Sequence, residues 1–231
     1  HFNEGERTTS NLEIMMADVI DLNTNWNLIS FDVDTYDDTP GNIFGELIDS
    51  EKLIYVTGFD VYGSNFFDPD GPSNLNTLLS INSNHGYWVK VTQGVPMART
   101  GYPILSDNSV HLLEGWSTIG YWFEQNMAPE ESFSSLIESD NLVFATGFNE
   151  NGATFFSPDS GEQHANTLGA LESGYGYMIK LNEAVEGFQY PEPSGAVAKQ
   201  LALNPNPDII KTNVAMFVNG TVSFQDIDVE E

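Results

Sequence analysis

The chain has 231 residues, 40% of them apolar, which suffices for one large domain or two small ones with a real core. Seven Lys and Arg stand against 34 Asp and Glu, a formal charge of −27. Such a surface repels phosphate backbones and anionic bilayers, so nucleic acid is excluded as a partner. The absence of cysteine removes disulfides, thiolate metal sites and cysteine nucleophiles, and no long apolar run predicts membrane insertion.

In chain order, residues 20–22 and 26–33 alternate well enough for strands. Thr39-Pro40-Gly41 breaks the pattern, and Ile43, Phe44, Leu47 and Ile48 then recur at helical spacing, which predicts a short helix ending near Ser50. Residues 53–59 and 65–67 read as a hairpin turned at Gly63. Asp68-Pro69-Asp70-Gly71 is a strong turn signal. Asn76-Thr77-Leu78-Leu79 predicts a short helical turn capped by Asn or Thr. Residues 86–91 form the closing strand. The same series returns as a strand at 116–123, a helix at 129–138, a hairpin from 142–148 and 154–156, and a closing strand at 176–181. A strand-like stretch follows each copy, at 101–104 and 185–190. Pro191 to Pro207 reads as a linker. Residues 213–224 look like a hairpin turned at Asn219-Gly220.

The two series are one sequence used twice. Residues 57–70 and 146–159 are identical at 8 of 14 positions, and residues 76–91 match 166–181 at 7 of 16 after a one-residue slip. Trp26 and Trp116 correspond upstream. Self-similarity of this length marks one supersecondary unit in two copies. The expected fold class is therefore α+β, mainly β. Two tandem strand–short helix–β-hairpin–short helix–strand units would be related by pseudo-twofold symmetry. The expected divisions are residues 1–98 and 99–190 for the copies, 191–208 for the linker, and 209–231 for a partial β-segment of a following domain or an assembly strand.

Paired positions carry separate expectations. Trp26 and Trp116 are expected in matching, mostly buried places. Phe59/Phe148, Phe66/Phe155 and Phe67/Phe156 read as core. Gly58/Gly147 and Gly63/Gly152 read as sites of backbone freedom. Tyr87/Tyr177 and Lys90/Lys180 read as an outward face of the closing strand. The Lys pair would meet carboxylates or anchor an acidic or sugar ligand.

Catalytic signatures are missing. There is no G-x-S-x-G, H-E-x-x-H, P-loop or dinucleotide glycine pattern. None of the four histidines, His1, His85, His111 and His164, is duplicated. One constellation stands out: Asp32, Asp34, Asp37 and Asp38 place four carboxylates in seven residues at a strand end. Such hard oxygen ligands suit Ca²⁺. The alternative is a solvated acidic loop. Asp68 and Asp70 form a weaker second candidate.

Val110-His111-Leu112, Gly115-Trp116 and Ile119, then Asn166-Thr167-Leu168 and Gly174-Tyr175-Gly176-Tyr177-Met178-Ile179-Lys180, follow one order. It resembles a repeat of large secreted and cell-surface bacterial proteins, frequent among Bacteroidota proteins exported by the type IX route. The resemblance covers about residues 15–190. It implies an extracellular module within a longer multidomain protein and no activity, so no site residues carry over. The first copy departs with Asn25 where glycine is usual, which puts that turn in question.

Three functions compete. The first is a non-catalytic structural or adhesive module that binds glycan, or other copies or domains of a surface protein. The second is a self-assembling filament subunit using the 209–224 strand. The third is a secreted polysaccharide hydrolase with two converging carboxylates. A row of exposed aromatic residues would favour glycan binding; a deep cleft flanked by acids would favour the enzyme.

Overall fold

The computed structural model describes residues 14–60, 63–159 and 166–193, with the backbone of Phe217 and Val218. The first copy runs β1 (Ile14–Leu22), β2 (Asn25–Ile29), β3 (Val33–Asp34), α1 (Pro40–Ile43), α2 (Gly45–Asp49), β4 (Leu53–Asp60), β5 (Gly63–Phe67), a 3₁₀ turn (Ser73–Leu75), β6 (Tyr87–Val91) and β7 (Val95–Pro103). The second runs β8 (Val110–Leu112), β9 (Gly115–Gly120), α3 (Pro129–Ser132), α4 (Ser134–Glu138), β10 (Leu142–Asn149), β11 (Gly152–Phe156), β12 (Gly176–Leu181) and β13 (Val185–Phe188). The fold is α+β, mainly β, as expected.

Each copy builds one antiparallel four-stranded sheet, ordered β2-β6-β4-β5 in the first and β9-β12-β10-β11 in the second. A second pairing accompanies each: β1 with β7 and β7 with β3 in the first copy, β8 with β13 in the second. β7 passes through the expected boundary at residue 98. Its pairing with β1 and β3 keeps residues up to 103 with the first copy. Each copy also buries its own core. Phe31, Phe44 and Val56 are fully buried in one, Tyr121, Phe133 and Leu171 in the other. The hairpin expected at residues 213–224 lies outside the described residues except for β14 (Phe217–Val218), which pairs antiparallel with Met15 and Ile14 of β1.

Local chemistry repeats position by position. The predicted single helix is two short ones in each copy. Pro40 and Pro129 begin the first, and Phe44 (φ −102°) and Phe133 (φ −107°) break the helical path before the second. Asn25 adopts φ 77° where Gly115 has φ 82°. The departure from glycine therefore leaves the turn intact, because Asn tolerates the left-handed region better than other side chains.

The second predicted helical turn is absent. Asn76 and Thr77 act on a strand instead: Thr77 Oγ1 accepts from Phe66 N–H (3.0 Å), and Asn76 Oδ1 accepts from Asp68 N–H (2.9 Å). Thr167 and Asn166 do the same for Phe155 N–H (2.9 Å) and Ser157 N–H (3.0 Å). The side-chain oxygens that suit a helix cap here bridge to the edge of the hairpin, and occupying an edge strand's amides blocks pairing with other chains.

Two further expectations are corrected. Tyr87 and Tyr177 are buried, not outward. They lie three residues from Lys90 and Lys180, so strand alternation puts them on the opposite face. Gly58 and Gly147 serve these rings rather than backbone freedom. A Cβ on Gly58 would fall 2.8 Å from the Tyr87 ring, and one on Gly147 3.1 Å from Tyr177. Gly63 (φ 115°) and Gly152 (φ 108°) do use conformations that favour glycine.

The copies meet along a seam of backbone contacts. Ser30 N–H donates to Gly174 O (3.1 Å), and the corresponding Gly120 N–H donates to Asn84 O (2.9 Å). Gly86 and Gly176 occupy corresponding positions and face each other there. A Cβ built on Gly176 would sit 2.8 Å from Gly86 Cα and 2.7 Å from Ile29 O. Gly176→Ala is expected to destabilise by about 1–3 kcal/mol, since backbone on both sides cannot yield. Gly41→Ala, with open space around its Cβ, is expected to be neutral or better. Denaturant melts of both variants check this, and equal midpoints would contradict it.

Candidate functional site

Alternation decides which aromatic residues reach solvent. On β6, Tyr87, Val89 and Val91 point into the core, so Trp88 and Lys90 point out. Register carries that outer face across the sheet. Lys90 stands opposite Trp26 on β2 and Tyr55 on β4, and Thr57 stands opposite Phe66 on β5. Trp26, Tyr55 and Phe66 make a ladder. Trp26 meets Tyr55 edge-on at 6.2 Å, and Tyr55 stacks on Phe66 at 5.6 Å. The second copy repeats it: Trp116 meets Phe144 edge-on at 6.2 Å, and Phe144 meets Phe155 at 5.6 Å.

Three of these six rings are open to solvent, while Tyr55, Phe66 and Phe144 are half-buried. Trp26 is 37% exposed, Trp116 48% and Phe155 44%. The expectation of mostly buried tryptophans is overturned, although the two do occupy like surroundings. Phe59 and Phe155 are likewise exposed, not core, whereas Phe156 is buried as expected. The reason is parity. A strand buries alternate positions only, and here the hydrophobic sets on both faces are aromatic or aliphatic. The Lys90 Nζ lies over the Trp26 ring at 5.4 Å.

The first ladder borders a cleft of about 190 Å³ where the copies meet. Trp26 lines it from the first copy, and Phe148 and Tyr175 from the second, with Asp21, Asn23 and Asn149 among its polar walls. The Tyr175 phenol is pushed up, first by burial and then by the charges of Glu172, Glu150 and Asp21.

The acidic run disperses. Asp37 accepts from the N–H and hydroxyl of Thr39 (3.0 and 2.7 Å), which holds its carboxyl below the usual range. Asp34 and Asp38 are exposed. Asp32 turns inward toward Asp18 and Ser173. Asp68 closes its own turn, accepting from the N–H groups of Asp70 and Gly71 (both 3.0 Å). Among the described residues, no group of three or more His, Asp or Glu side chains gathers as for a metal ion.

Asp32 instead belongs to a cluster that the acidic run alone did not reveal. Asp18 on β1 is buried, and its Oδ2 accepts from Asp32 N–H at 3.4 Å. Burial, then the Asp32 charge, push Asp18 up to about 7. Asp32 is raised as well, mainly by burial. Ser173 of the second copy donates to Asp32 Oδ2 at 3.4 Å. Arg99 stands opposite Asp18 in the β1–β7 register, 95% buried, with its guanidinium 4.4 Å from the Phe31 ring. Burial lowers its pKa, while Asp34 and Asp18 oppose that. The sequence offered no signal for it: Asp18 and Arg99 lie just outside the strand-like stretches at 20–22 and 101–104, and only the β1–β7 register sets them opposite each other.

This pair does not resemble a working hydrolase centre. Neither Asp18 nor Asp32 lines the cleft. Of the described histidines, His85 contacts Thr118 O through Nδ1 (3.2 Å), and His111 lies 3.1 Å from Glu186.

Comparison with known protein families, curated proteins and solved structures gives no match.

Asp18 makes stability depend on pH. Its folded pKa of about 7 exceeds the ordinary 3.8, so the folded chain holds a proton that the unfolded chain releases. The penalty is absent below pH 4, grows between pH 4 and 7, and is constant above. Asp18→Asn is expected to raise Tm relative to wild type at pH 8 and to lose that advantage by pH 4. Melts across this range check it; a pH-independent difference would contradict the assignment.

Proposed function

We propose that this chain is a non-catalytic extracellular binding module of a bacterial surface or secreted protein, and that its exposed aromatic ladders hold carbohydrate. One observation carries this reading: the Trp–aromatic–Phe ladder occurs twice, its tryptophan in solvent each time, at corresponding positions of both sheets. Large apolar side chains cost free energy when left in water, and clustered exposed ones mark interaction surfaces. A flat ring offers its face to the apolar C–H face of a pyranose, while hydroxyl groups at the ring edge keep their contacts with water or nearby polar groups. The charge of −27 disfavours polyanionic ligands. The resemblance to repeats of secreted bacterial proteins supports the location.

A filament subunit is the second reading. Among the described residues, β1 receives Phe217–Val218 at Ile14 and Met15, and Val19 further along is 60% exposed. A strand edge that accepts another strand in this way is also a template for one from a second chain. Size-exclusion chromatography with light scattering separates the two readings, since assembly grows with concentration and lectin-like binding does not. A hydrolase has less support, because neither Asp18 nor Asp32 lines the cleft.

Affinity electrophoresis in gels containing neutral polysaccharides tests the proposal. Trp116→Ala is expected to weaken retardation roughly tenfold, as loss of about 1–2 kcal/mol of ring stacking would. Trp26→Ala with Trp116→Ala is expected to abolish it, because two weak sites on one chain reinforce each other. Unretarded migration of wild type in every polysaccharide would overturn the proposal.

A further inference from the structure

The seam cleft differs from the ladders that flank it. Its walls combine aromatic rings, Trp26, Phe148 and Tyr175, with the carboxylate of Asp21. Glu150 and Glu172 lie close enough for their charges to act on the Tyr175 hydroxyl. Among the described residues, no Lys or Arg lines the cleft. Its volume of about 190 Å³ equals that of roughly six water molecules, room for one sugar ring rather than a chain. Aromatic faces and carboxylates together select a cation that carries an apolar body, through ring quadrupoles and charge-assisted hydrogen bonds. Lys90 already lies over Trp26, which leaves Tyr175 and Phe148 as the ring contacts for an incoming ammonium.

We infer that the cleft accepts a protonated amino sugar, so that the module prefers glycans bearing free amino groups. The inference rests on the carbohydrate reading above and narrows its ligand class. Trp26 joins the two features: it is the first rung of one ladder and a wall of the cleft. A glycan lying along that ladder would place one ring at the cleft mouth.

The test compares chitosan oligosaccharides with fully N-acetylated oligomers of equal length, by calorimetry on the full chain, at a pH where the amine is protonated. Wild type is expected to bind the free-amine form roughly tenfold more tightly. Asp21→Asn combined with Glu172→Gln is expected to erase that preference, bringing affinity for the free-amine form down to that for the acetylated form. Glu46→Gln with Asp49→Asn on α2 removes the same charge elsewhere and is expected to retain the preference. Equal affinity of wild type for both sugars overturns this inference alone. A preference equally lost in the α2 control also overturns it, since attraction to the acidic surface as a whole would then explain it. A lysine oligomer that binds as tightly and responds to the same cleft variants would mark a basic-peptide site and likewise overturn it. Binding of neither sugar overturns the carbohydrate reading and this inference together.

Discussion

The close approach of Gly86 and Gly176 is the contact on which the arrangement of the two copies depends. A Cβ on Gly176 would sit 2.8 Å from Gly86 Cα, which leaves no room for a side chain there, and one on Gly86 would sit 3.2 Å from Gly176 Cα, a tight fit. With the backbones this near, Ser30 N–H reaches Gly174 O and Gly120 N–H reaches Asn84 O. Ser30 adds a side-chain link, donating through Oγ to Tyr175 O and accepting from Tyr121 N–H. Backbone-to-backbone contacts tolerate little displacement, so the seam fixes the relative position of two cores that are otherwise separate. Leu28 shows the consequence. It lies on the outward side of its sheet, yet it is buried and lines the cleft, because the second copy covers it.

That covering makes the outer faces functional in different ways along their length. Close to the seam, the outward positions are closed over: Leu28 and Thr118, which correspond, are both buried. Trp88 is met there by Phe148 at 5.2 Å. Trp26, at the rim of the seam cleft, and Trp116 come into solvent, each at the start of its ladder. One repeating strand pattern thus supplies an interface at one end and an exposed aromatic surface at the other. The seam also brings Asp32 within reach of Ser173, so a titrating pair in the first copy touches the second.

Much of the fold was legible because it is written twice. The duplicated Gly63/Gly152 turns, the Pro40/Pro129 helix starts and the succession of strands along the chain all follow from local residue chemistry. What local chemistry cannot fix is the partner. Asn76-Thr77 offers the same acceptors to a helix N-terminus and to a strand edge, and only the return of the chain past Phe66 decides between them. The buried place of Trp26 was misjudged for a related reason. Alternation tells which residues share a face, but both faces of β2 carry large apolar side chains. Which face turns inward depends on β1, β7 and the helices that cover it.

The site was less legible still, because it depends on register between distant strands. Nothing near Asp18 marks it as special until β1 pairs with β7 and sets Arg99 opposite it. The acidic run from Asp32 to Asp38 looked like one ligand set because its residues are neighbours in sequence. Asp37 turns its Oδ1 to the Thr39 N–H and hydroxyl just ahead of α1, while half-buried Asp32 turns inward toward Asp18. Charge density along a chain therefore overstates charge density in space. The ladders show the converse, since Trp26, Tyr55 and Phe66 are scattered in sequence and meet only through sheet register. A duplicated unit preserves such register in both copies, and that is why a surface invisible in either copy's sequence occurs twice in the folded chain.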